Sequence, residues 1–243
     1  MRTLSAEELL GIWEFGQVRT LPRRALMLVA ASLPSSSSDE LEQMSIGKRD
    51  EVLLKLREGL FGSNYAGLSE CPQCKSSIEI DFDANEIKNF SAQSAGPFQL
   101  TFGDYEFKCR LPNSSDLFQM ERLSQPEELR LAILDRCLLE KKCKGVDVLL
   151  SQLPNEAIEA CNAEFSRRDP QAEILLSLSC PDCNHEWEVI FDIVSFAWQE
   201  ISVWAGRLLR QIHTIAAGYG WPEHEILALS PLRRQAYLEM LRA

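Results

Sequence analysis

The chain has 243 residues, enough to bury a hydrophobic core without help from disulfides. Its hydrophobic fraction of 45% and charged fraction of 25% are typical of a soluble globular protein, which excludes extensive disorder. The formal charge of −11 disfavours a protein that coats DNA or RNA, because such binding depends on an excess of Lys and Arg.

The N-terminal segment, residues 1–70, is predicted to be helical. Residues 5–33 indicate two helices, because Ser5 can cap the first and Pro22 can open the second. A proline and a run of serines then interrupt the pattern. A third helix, predicted over residues 45–60, is amphipathic, with apolar positions near one face and charged residues between them.

Two short cysteine motifs follow, and each precedes a predicted strand. After Cys71-Pro-Gln-Cys74, residues 77–83 alternate between apolar and polar, as a half-buried strand does. After Cys180-Pro-Asp-Cys183, residues 186–192 show nearly the same pattern. The two copies form an internal repeat, and the segments 71–83 and 180–192 are predicted to be two arms that meet in space.

Residues 84–179, between the two arms, are predicted to form an inserted domain of mixed α and β structure. Residues 99–111 indicate a hairpin that turns at Gly103. Helices are expected after this hairpin, beginning at Ser115 or Asp116, over 126–139 and over 154–166.

The C-terminal segment, residues 193–243, is predicted to be helical. It starts with a long helix that has a broad apolar face and is stopped by Gly218 and Gly220. Two short helices opened by Pro222 and Pro231 follow. The predicted fold class is therefore α+β, with helical N- and C-terminal segments flanking a split four-cysteine zinc ribbon that carries an inserted mixed α/β domain.

The four paired cysteines are predicted to bind one structural zinc ion: Cys71, Cys74, Cys180 and Cys183. Two Cys-x-x-Cys pairs supply the tetrahedral sulfur shell that zinc favours, and four thiolates leave no open position for catalysis. A different ion, such as iron, and two separate redox pairs are the alternatives. Redox pairs are disfavoured, because such motifs are expected at the start of a helix and both pairs here precede strands.

The spacing of the two pairs is unusual for a zinc ribbon. A stretch of 105 residues separates Cys74 from Cys180, whereas common ribbons have about 15–20 residues between their pairs. A metal ion would therefore tie the two ends of the insert together. His185, next to the second pair, is expected to be a turn residue, with a role as alternative ligand or hydrogen-bond donor as the other interpretation.

The sequence also indicates where the protein is located, whether it is an enzyme and what its unpaired cysteines do. The chain starts without a continuous apolar run, and its longest one, residues 25–33, is too short to cross a bilayer, so we expect a cytoplasmic protein without a membrane partner. We expect no enzymatic activity, because no phosphate-binding, dinucleotide-binding or catalytic motif occurs. The unpaired cysteines are expected to be buried or incidental thiols: Cys109, Cys137, Cys143 and Cys161.

Aromatic and arginine residues near the C-terminus are candidates for contact with a protein partner. Trp, Tyr and Arg are the residue types enriched at the energetic centres of protein interfaces. The alternative is that the aromatic residues belong to the core and the arginines to solvated helix faces. The candidates are Trp198, Arg207, Arg210, Trp221, Arg233, Arg234 and Tyr237.

Short motifs along nearly the whole chain occur in the same order as in one known protein family. They are Leu9-Leu-Gly-Ile-Trp13-Glu14, Ile46-Gly-Lys-Arg-Asp50, Leu54-Lys-Leu-Arg-Glu58, Arg110-Leu-Pro-Asn-Ser-Ser-Asp116, Asp169-Pro-Gln-Ala172, the two cysteine motifs, Phe191-Asp-Ile-Val-Ser-Phe196, Gly220-Trp-Pro-Glu223, Ile226-Leu-Ala-Leu-Ser230 and Arg233-Arg-Gln-Ala-Tyr-Leu-Glu239. With these motifs the chain resembles the baseplate hub assembly chaperones of T-even-type phages, in the zinc-ribbon-bearing form found in gene clusters of contractile injection systems. Pro222 departs from the pattern, because a small polar cap is expected there.

The resemblance implies a non-enzymatic assembly factor or structural component of the baseplate or hub of a contractile, phage-tail-like injection system. Its partners would be baseplate, hub or spike proteins, and it would act in the cytoplasm of the producing cell or also remain in the assembled particle. A nucleic-acid-binding zinc ribbon is the alternative function. Acidic residues after both cysteine pairs oppose it and predict no nucleic-acid partner, among them Glu79, Asp81, Glu186 and Glu188.

Overall fold

The computed structural model describes residues 2–88, 96–121, 123 and 125–242, so that residues 89–95, 122 and 124 of the predicted insert lie outside the described residues. The helices are α1 Ala6–Gly16, α2 Leu21–Ser32, α3 Ser38–Gln43, α4 Ile46–Phe61, α5 Ala84–Ile87, α6 Ser114–Gln119, α7 Pro126–Cys137, α8 Asn155–Arg168, α9 Ile193–Tyr219, α10 Glu223–Ala228 and α11 Pro231–Met240. The strands are β1 Asn64–Glu70, β2 Ser77–Asp83, β3 Phe98–Phe102, β4 Tyr105–Cys109, β5 Leu138–Cys143, β6 Val146–Asp147, β7 Leu175–Ser179 and β8 Glu186–Ile190.

Capping residues set the starts of the N-terminal helices. Ser5 accepts a hydrogen bond from the Glu8 backbone N–H, and the Glu8 side chain caps the Ser5 N–H in return, which confirms the predicted start of α1. The helix predicted over residues 45–60 is α4, and the Ser45 side chain caps it by accepting a hydrogen bond from the Lys48 N–H. The serine run was expected to interrupt helix formation, but Ser37 forms a capping box that starts the short helix α3.

The C-terminal helices follow the prediction closely. The carboxylate of Asp192 accepts hydrogen bonds from two backbone N–H groups at the start of α9, and Gly220 ends this helix with a left-handed backbone, at a φ of 70°. Gly218, expected to help stop α9, lies inside it instead, directly against Leu241. No helix within the described ranges is long and apolar enough to cross a membrane.

The described strands form three antiparallel sheets. Two are simple hairpins, β1–β2 and β7–β8, and the third has the order β3-β4-β5-β6. The predicted hairpin at Gly103 is the β3–β4 pair, and the predicted strands after both cysteine pairs are β2 and β8. The sequence patterns did not indicate β1, β5, β6 and β7. The combination of helices with separate antiparallel sheets confirms the α+β class.

Three hydrophobic clusters hold these elements together. The first packs α1, α2 and α4 against the start of α9 and the open ends of both cysteine hairpins. The second lies within the insert and joins β4 to α7 and α8. The third packs the rest of α9 against α1, α10 and α11. The insert thus has a core of its own, while α9 is shared by the other two clusters.

Helix α4 departs from the amphipathic pattern that was predicted, because several of its charged residues are buried. Arg57 is only 3% exposed and makes a two-pronged ion pair with Glu200 of α9, at 2.6 and 2.7 Å. Its guanidinium also lies 3.8 Å from the ring centre of Tyr65. Arg49 pairs with Asp50 at 2.7 Å, and burial raises the pKa of Asp50 to about 6 in spite of that pair.

A buried polar contact fixes the insert to α4. The backbone N–H of Gly47 donates to a carboxylate oxygen of Asp169 at 2.9 Å, and the Ile46 N–H donates to the Pro112 carbonyl at 3.1 Å. The start of α6 differs from the prediction: its cap is Asn113, not Ser115 or Asp116. Asp116 is the third residue of α6, and its side chain completes the capping box.

Candidate metal centre

The first cysteine pair lies in the turn of the β1–β2 hairpin. The Cys71 N–H donates to the Ser76 carbonyl at 2.9 Å, and the Lys75 N–H donates to the Cys71 carbonyl at 3.0 Å. Lys75 adopts a left-handed backbone, at a φ of 65°, which turns the chain back immediately after Cys74. Both sulfur atoms are thereby presented at the tip of the hairpin.

The second pair repeats this geometry in the turn of the β7–β8 hairpin. The Cys180 N–H donates to the His185 carbonyl, and the Asn184 N–H donates to the Cys180 carbonyl, both at 2.9 Å. Asn184 has the left-handed φ, 56°, and occupies the position that Lys75 holds in the first hairpin. The internal repeat in the sequence therefore corresponds to two equivalent cysteine turns.

The two tips meet, and their four sulfur atoms all lie within 4.8 Å of one another. The Sγ atoms of Cys71 and Cys183 are 3.7 Å apart, and those of Cys74 and Cys180 are 3.5 Å apart. A tetrahedral zinc site with bonds of about 2.3 Å to sulfur has edges of about 3.8 Å. Disulfide sulfurs are only about 2 Å apart, so these contacts have the geometry of a metal shell.

Two of the four thiols have shifted pKa values, and the shifts run in opposite directions. Hydrogen bonds from the Ser76 side chain and backbone lower the pKa of Cys74 to about 6. The His185 backbone acts in the same direction on Cys183, but burial and the neighbouring thiols outweigh it and raise the pKa of Cys183 to about 12. Several thiolates at such short distances repel one another, and a divalent ion would offset that repulsion.

His185 is not part of this set. Among the described residues the group that could hold a metal consists of the four cysteines alone. The His185 ring instead stacks on Trp187, with ring centres 5.8 Å apart and an angle of 12° between the planes. The residue contributes its backbone carbonyl to the turn, in agreement with the expectation of a turn residue.

The remaining cysteines are in or near the insert. Cys109, Cys137 and Cys161 are buried in its core, and Cys143 is partly buried on β5. Burial raises the pKa to about 12 for Cys109 and Cys137 and to about 11 for Cys161. Thiols with such pKa values are protonated and unreactive at neutral pH, as expected for structural cysteines.

Two of the predicted partner-binding residues are inside the molecule. Trp198 is 6% exposed, packs against Gly16 and stacks with the guanidinium of Arg24. Arg234 is 3% exposed and donates a hydrogen bond to the Leu229 carbonyl. Neither side chain presents an appreciable surface to a partner in this fold, because both are buried.

The other predicted partner-binding residues lie at or near the surface of α9 and the last helices. Arg207, Arg210 and Arg233 are exposed. Trp221 and Tyr237 are half-buried and meet edge to face, with ring centres 4.8 Å apart. The structure thus brings the two aromatic residues together and leaves three arginines free of the core.

The fold and the site together define a class of protein: an α+β protein in which two cysteine hairpins, far apart in sequence, share a candidate metal site. A family model described as "T4 bacteriophage base plate protein" matches residues 27–198, from within α2 to within α9 and including both cysteine pairs. The chain belongs to this family. Membership indicates a structural or assembly role in a phage baseplate, with other baseplate proteins as partners. Searches of curated proteins and of solved structures find no match.

Proposed function

We propose that the chain is a non-enzymatic assembly factor or structural component of the baseplate or hub of a contractile, phage-tail-like injection system. In this proposal it acts through protein–protein contacts on a scaffold that one zinc ion holds in shape. The observation that carries the proposal is the meeting of four cysteines from two distant hairpins in a chain of the baseplate family.

The four cysteines fit zinc by ligand type and by spacing. Zinc in structural sites takes four thiolates in a tetrahedron, and a closed shell of this kind supplies cross-linking rather than an activated water. Cys71 and Cys74 would hold the ion from one hairpin, and Cys180 and Cys183 from the other. The residues of the two turns would then fix the relative positions of the hairpins and the base of the insert.

The surface near this site opposes the alternative of nucleic-acid binding. The acidic residues that follow the cysteine pairs are exposed on β2 and β8, among them Glu79, Asp81, Glu186 and Glu188. A phosphate backbone would be repelled there, because binding to it depends on positively charged side chains. We therefore propose protein partners from the baseplate, hub or spike.

Substitution of the first cysteine pair tests the structural role of the proposed zinc ion. We expect the double variant Cys71→Ser, Cys74→Ser to lose the metal ion and to yield no complete baseplates, because two hydroxyls do not replace two thiolates around zinc. The measurements are metal content by mass spectrometry and electron microscopy of particles from the producing cell. The matched control is Cys143→Ser, outside the site, which should keep both. Normal particles from the double variant would contradict the proposal.

The place of the chain in assembly needs a separate measurement. Mass spectrometry of purified particles, alongside a pull-down of the chain from the producing cell, distinguishes the two forms of the proposal. A transient chaperone would be found with baseplate proteins only in the pull-down. A permanent component would be found in both samples.

A further inference from the structure

The two cysteine hairpins each have an unpaired strand edge. Within the described residues, β2 pairs only with β1, and β7 pairs only with β8. Each of these strands therefore has one edge in a ladder and one edge whose backbone N–H and C=O groups have no strand partner in the part of the chain that the structure describes. Such edges are the sites where an extended peptide can add to a sheet.

Hydrogen bonds at both ends of the first hairpin show which residues of β2 point their backbone to the open edge. The Ala84 N–H donates to the Ser63 carbonyl at 2.8 Å, and the Cys71 N–H donates to the Ser76 carbonyl at 2.9 Å. Hydrogen-bonded and non-hydrogen-bonded pairs alternate in an antiparallel ladder. The pair of Ala66 with Asp81 is therefore non-hydrogen-bonded, and the Asp81 backbone points away from β1.

The second hairpin has the same alternation. The Phe191 N–H donates to the Ile174 carbonyl at 2.8 Å, and the turn at Cys180 closes the other end. The pair of Ser177 with Glu188 is therefore non-hydrogen-bonded, and the Ser177 backbone points away from β8. Asp81 and Ser177 thus present backbone groups at the open edges of their own hairpins.

These two open edges line the same cleft, which has a volume of about 520 Å³. Consecutive residues line it, 80–82 from β2 and 175–178 from β7, together with Ile174 just before β7. A sheet face would contribute alternate residues, so a consecutive run indicates that the strand edges form the walls. The cysteines join the tips of the hairpins, and an edge-to-face contact of Phe82 with Phe191, at 5.4 Å, joins their other ends.

We propose that this cleft binds an extended segment of a partner protein, which adds as a strand between β2 and β7 and joins the two hairpins into one sheet. Hydrogen bonds to the backbone groups of Asp81 and Ser177 would hold the segment. The inference deepens the proposed function and rests on it for the source of the segment, a baseplate protein. The metal ion would hold the two hairpins, and with them the two edges, in fixed relative positions.

The charges at the cleft select a basic segment. Asp81 and Glu173 are exposed in its wall, and Glu86 lines it as well. Among the described lining residues the only cation is Lys88, which is already paired with Glu58 of α4 at 2.8 Å. The uncompensated charge is therefore negative, and Lys or Arg side chains on the added strand would complement it.

Proline substitutions test this arrangement with a synthetic probe, a fluorescent peptide of about seven alternating Lys and Val residues. Proline removes one backbone N–H and is tolerated at an open strand edge. We expect Asp81→Pro and Ser177→Pro to weaken peptide binding by about tenfold or more, measured by anisotropy. The matched controls are Ala66→Pro and Glu188→Pro. They lie in the same cross-strand pairs but at the opposite edges, and should change affinity by less than about twofold.

Hydrogen exchange on the unchanged, zinc-loaded protein provides a second measurement that does not depend on any variant folding. Bound peptide should slow exchange of the amides of Asp81 and Ser177 and leave those of Ala66 and Glu188 unchanged. Absence of peptide binding by the unchanged protein, equal losses in all four variants, or equal protection at all four amides would overturn the inference. The peptide assay needs no baseplate protein, so its failure would be distinct from failure of the assembly experiment.

Discussion

Gly47 is the residue of α4 that contacts the buried carboxylate of Asp169 in the insert. A Cβ atom at this position would lie 2.2 Å from a carboxylate oxygen of Asp169 and 2.8 Å from the backbone nitrogen of Ala172. The Gly47 N–H also donates to the other oxygen of that carboxylate. A side chain at this position would force Asp169 away from Gly47 and so weaken the hydrogen bond that joins the insert to α4.

Replacement of this glycine by alanine should destabilise the protein. We expect Gly47→Ala to lower the free energy of unfolding by about 3 kcal/mol, since it adds overpacking and weakens a buried hydrogen bond. The matched control is Gly59→Ala in the same helix, where a Cβ meets nothing within 4 Å. Alanine has the higher helix propensity, so the control should gain about 0.5–1 kcal/mol. Urea denaturation measures both, and equal changes would contradict the steric argument.

Residue roles were predictable where local chemistry decides them and not where a distant partner does. Four thiols in two equal turns are visible in the sequence, because spacing alone allows them to share an ion. The burial of Arg57 is not visible in this way. Its partner, Glu200, lies on α9, and helical periodicity assigns a charged residue to the solvent face unless that partner is known.

Helices and strands were likewise predictable where residues close in sequence determine them, and not where a distant partner does. Caps such as Ser5 and Asp192 act within a few residues, so the starts of α1 and α9 could be predicted. Strand β1 is rich in residues with low strand propensity, including Asn64 and Gly67, and gains its structure from pairing with β2. Strand β1 was missed for this reason, whereas the strand after each cysteine pair has an alternating pattern.

Asp116 shows how one side chain organises several elements. Its carboxylate is fully buried and accepts hydrogen bonds from Arg110 on the loop after β4, at 2.6 and 2.7 Å, and from Arg136 on α7 at 2.8 Å. It also accepts one from the Asn113 N–H, which closes the cap of α6. Burial acts to raise the pKa of Asp116, but the two arginines and the capping bond outweigh it, so that the pKa is lowered.

Removal of this charge should loosen α6, α7 and the loop together. We expect Asp116→Asn to cost about 3 kcal/mol at pH 7, because two partly buried arginines lose their anionic partner. The matched control is Asp135→Asn, which breaks a more exposed pair with Lys141 and should cost less than about 1 kcal/mol. Denaturation curves of the two variants measure the difference.

The same substitution has a defined pH dependence. A lowered pKa in the folded state means that Asp116 stabilises the protein above its unfolded pKa, near 3.8, and that this contribution is lost as the pH falls through the folded value. The difference between the unchanged protein and Asp116→Asn should therefore be constant near neutral pH and shrink below about pH 4. A difference that stays the same at about pH 2–3 would show that shape, not charge, is responsible.

At the scale of the whole molecule, the candidate metal site joins the tips of the two cysteine hairpins, while the first hydrophobic cluster packs their open ends. The insert has its own core, places Ile87 and Ile174 in the first cluster, and makes polar contacts with α3 and α4. The four cysteines lie at the two ends of this insert in the chain. A metal ion there would close a loop of more than a hundred residues, so that the hairpins would depend on it more than the cores do.

Metal removal should therefore act locally. After treatment with a chelator, we expect amide exchange in β1, β2, β7 and β8 to become at least about tenfold faster, since two-stranded hairpins are marginal without an added constraint. Amides of β4, in the core of the insert, should change little, because burial of Phe107 and its neighbours does not depend on the ion. Exchange measured by mass spectrometry checks both regions, and re-addition of zinc should restore the slow rates. Uniform acceleration throughout the chain would mean that the ion supports the whole fold rather than the two hairpins.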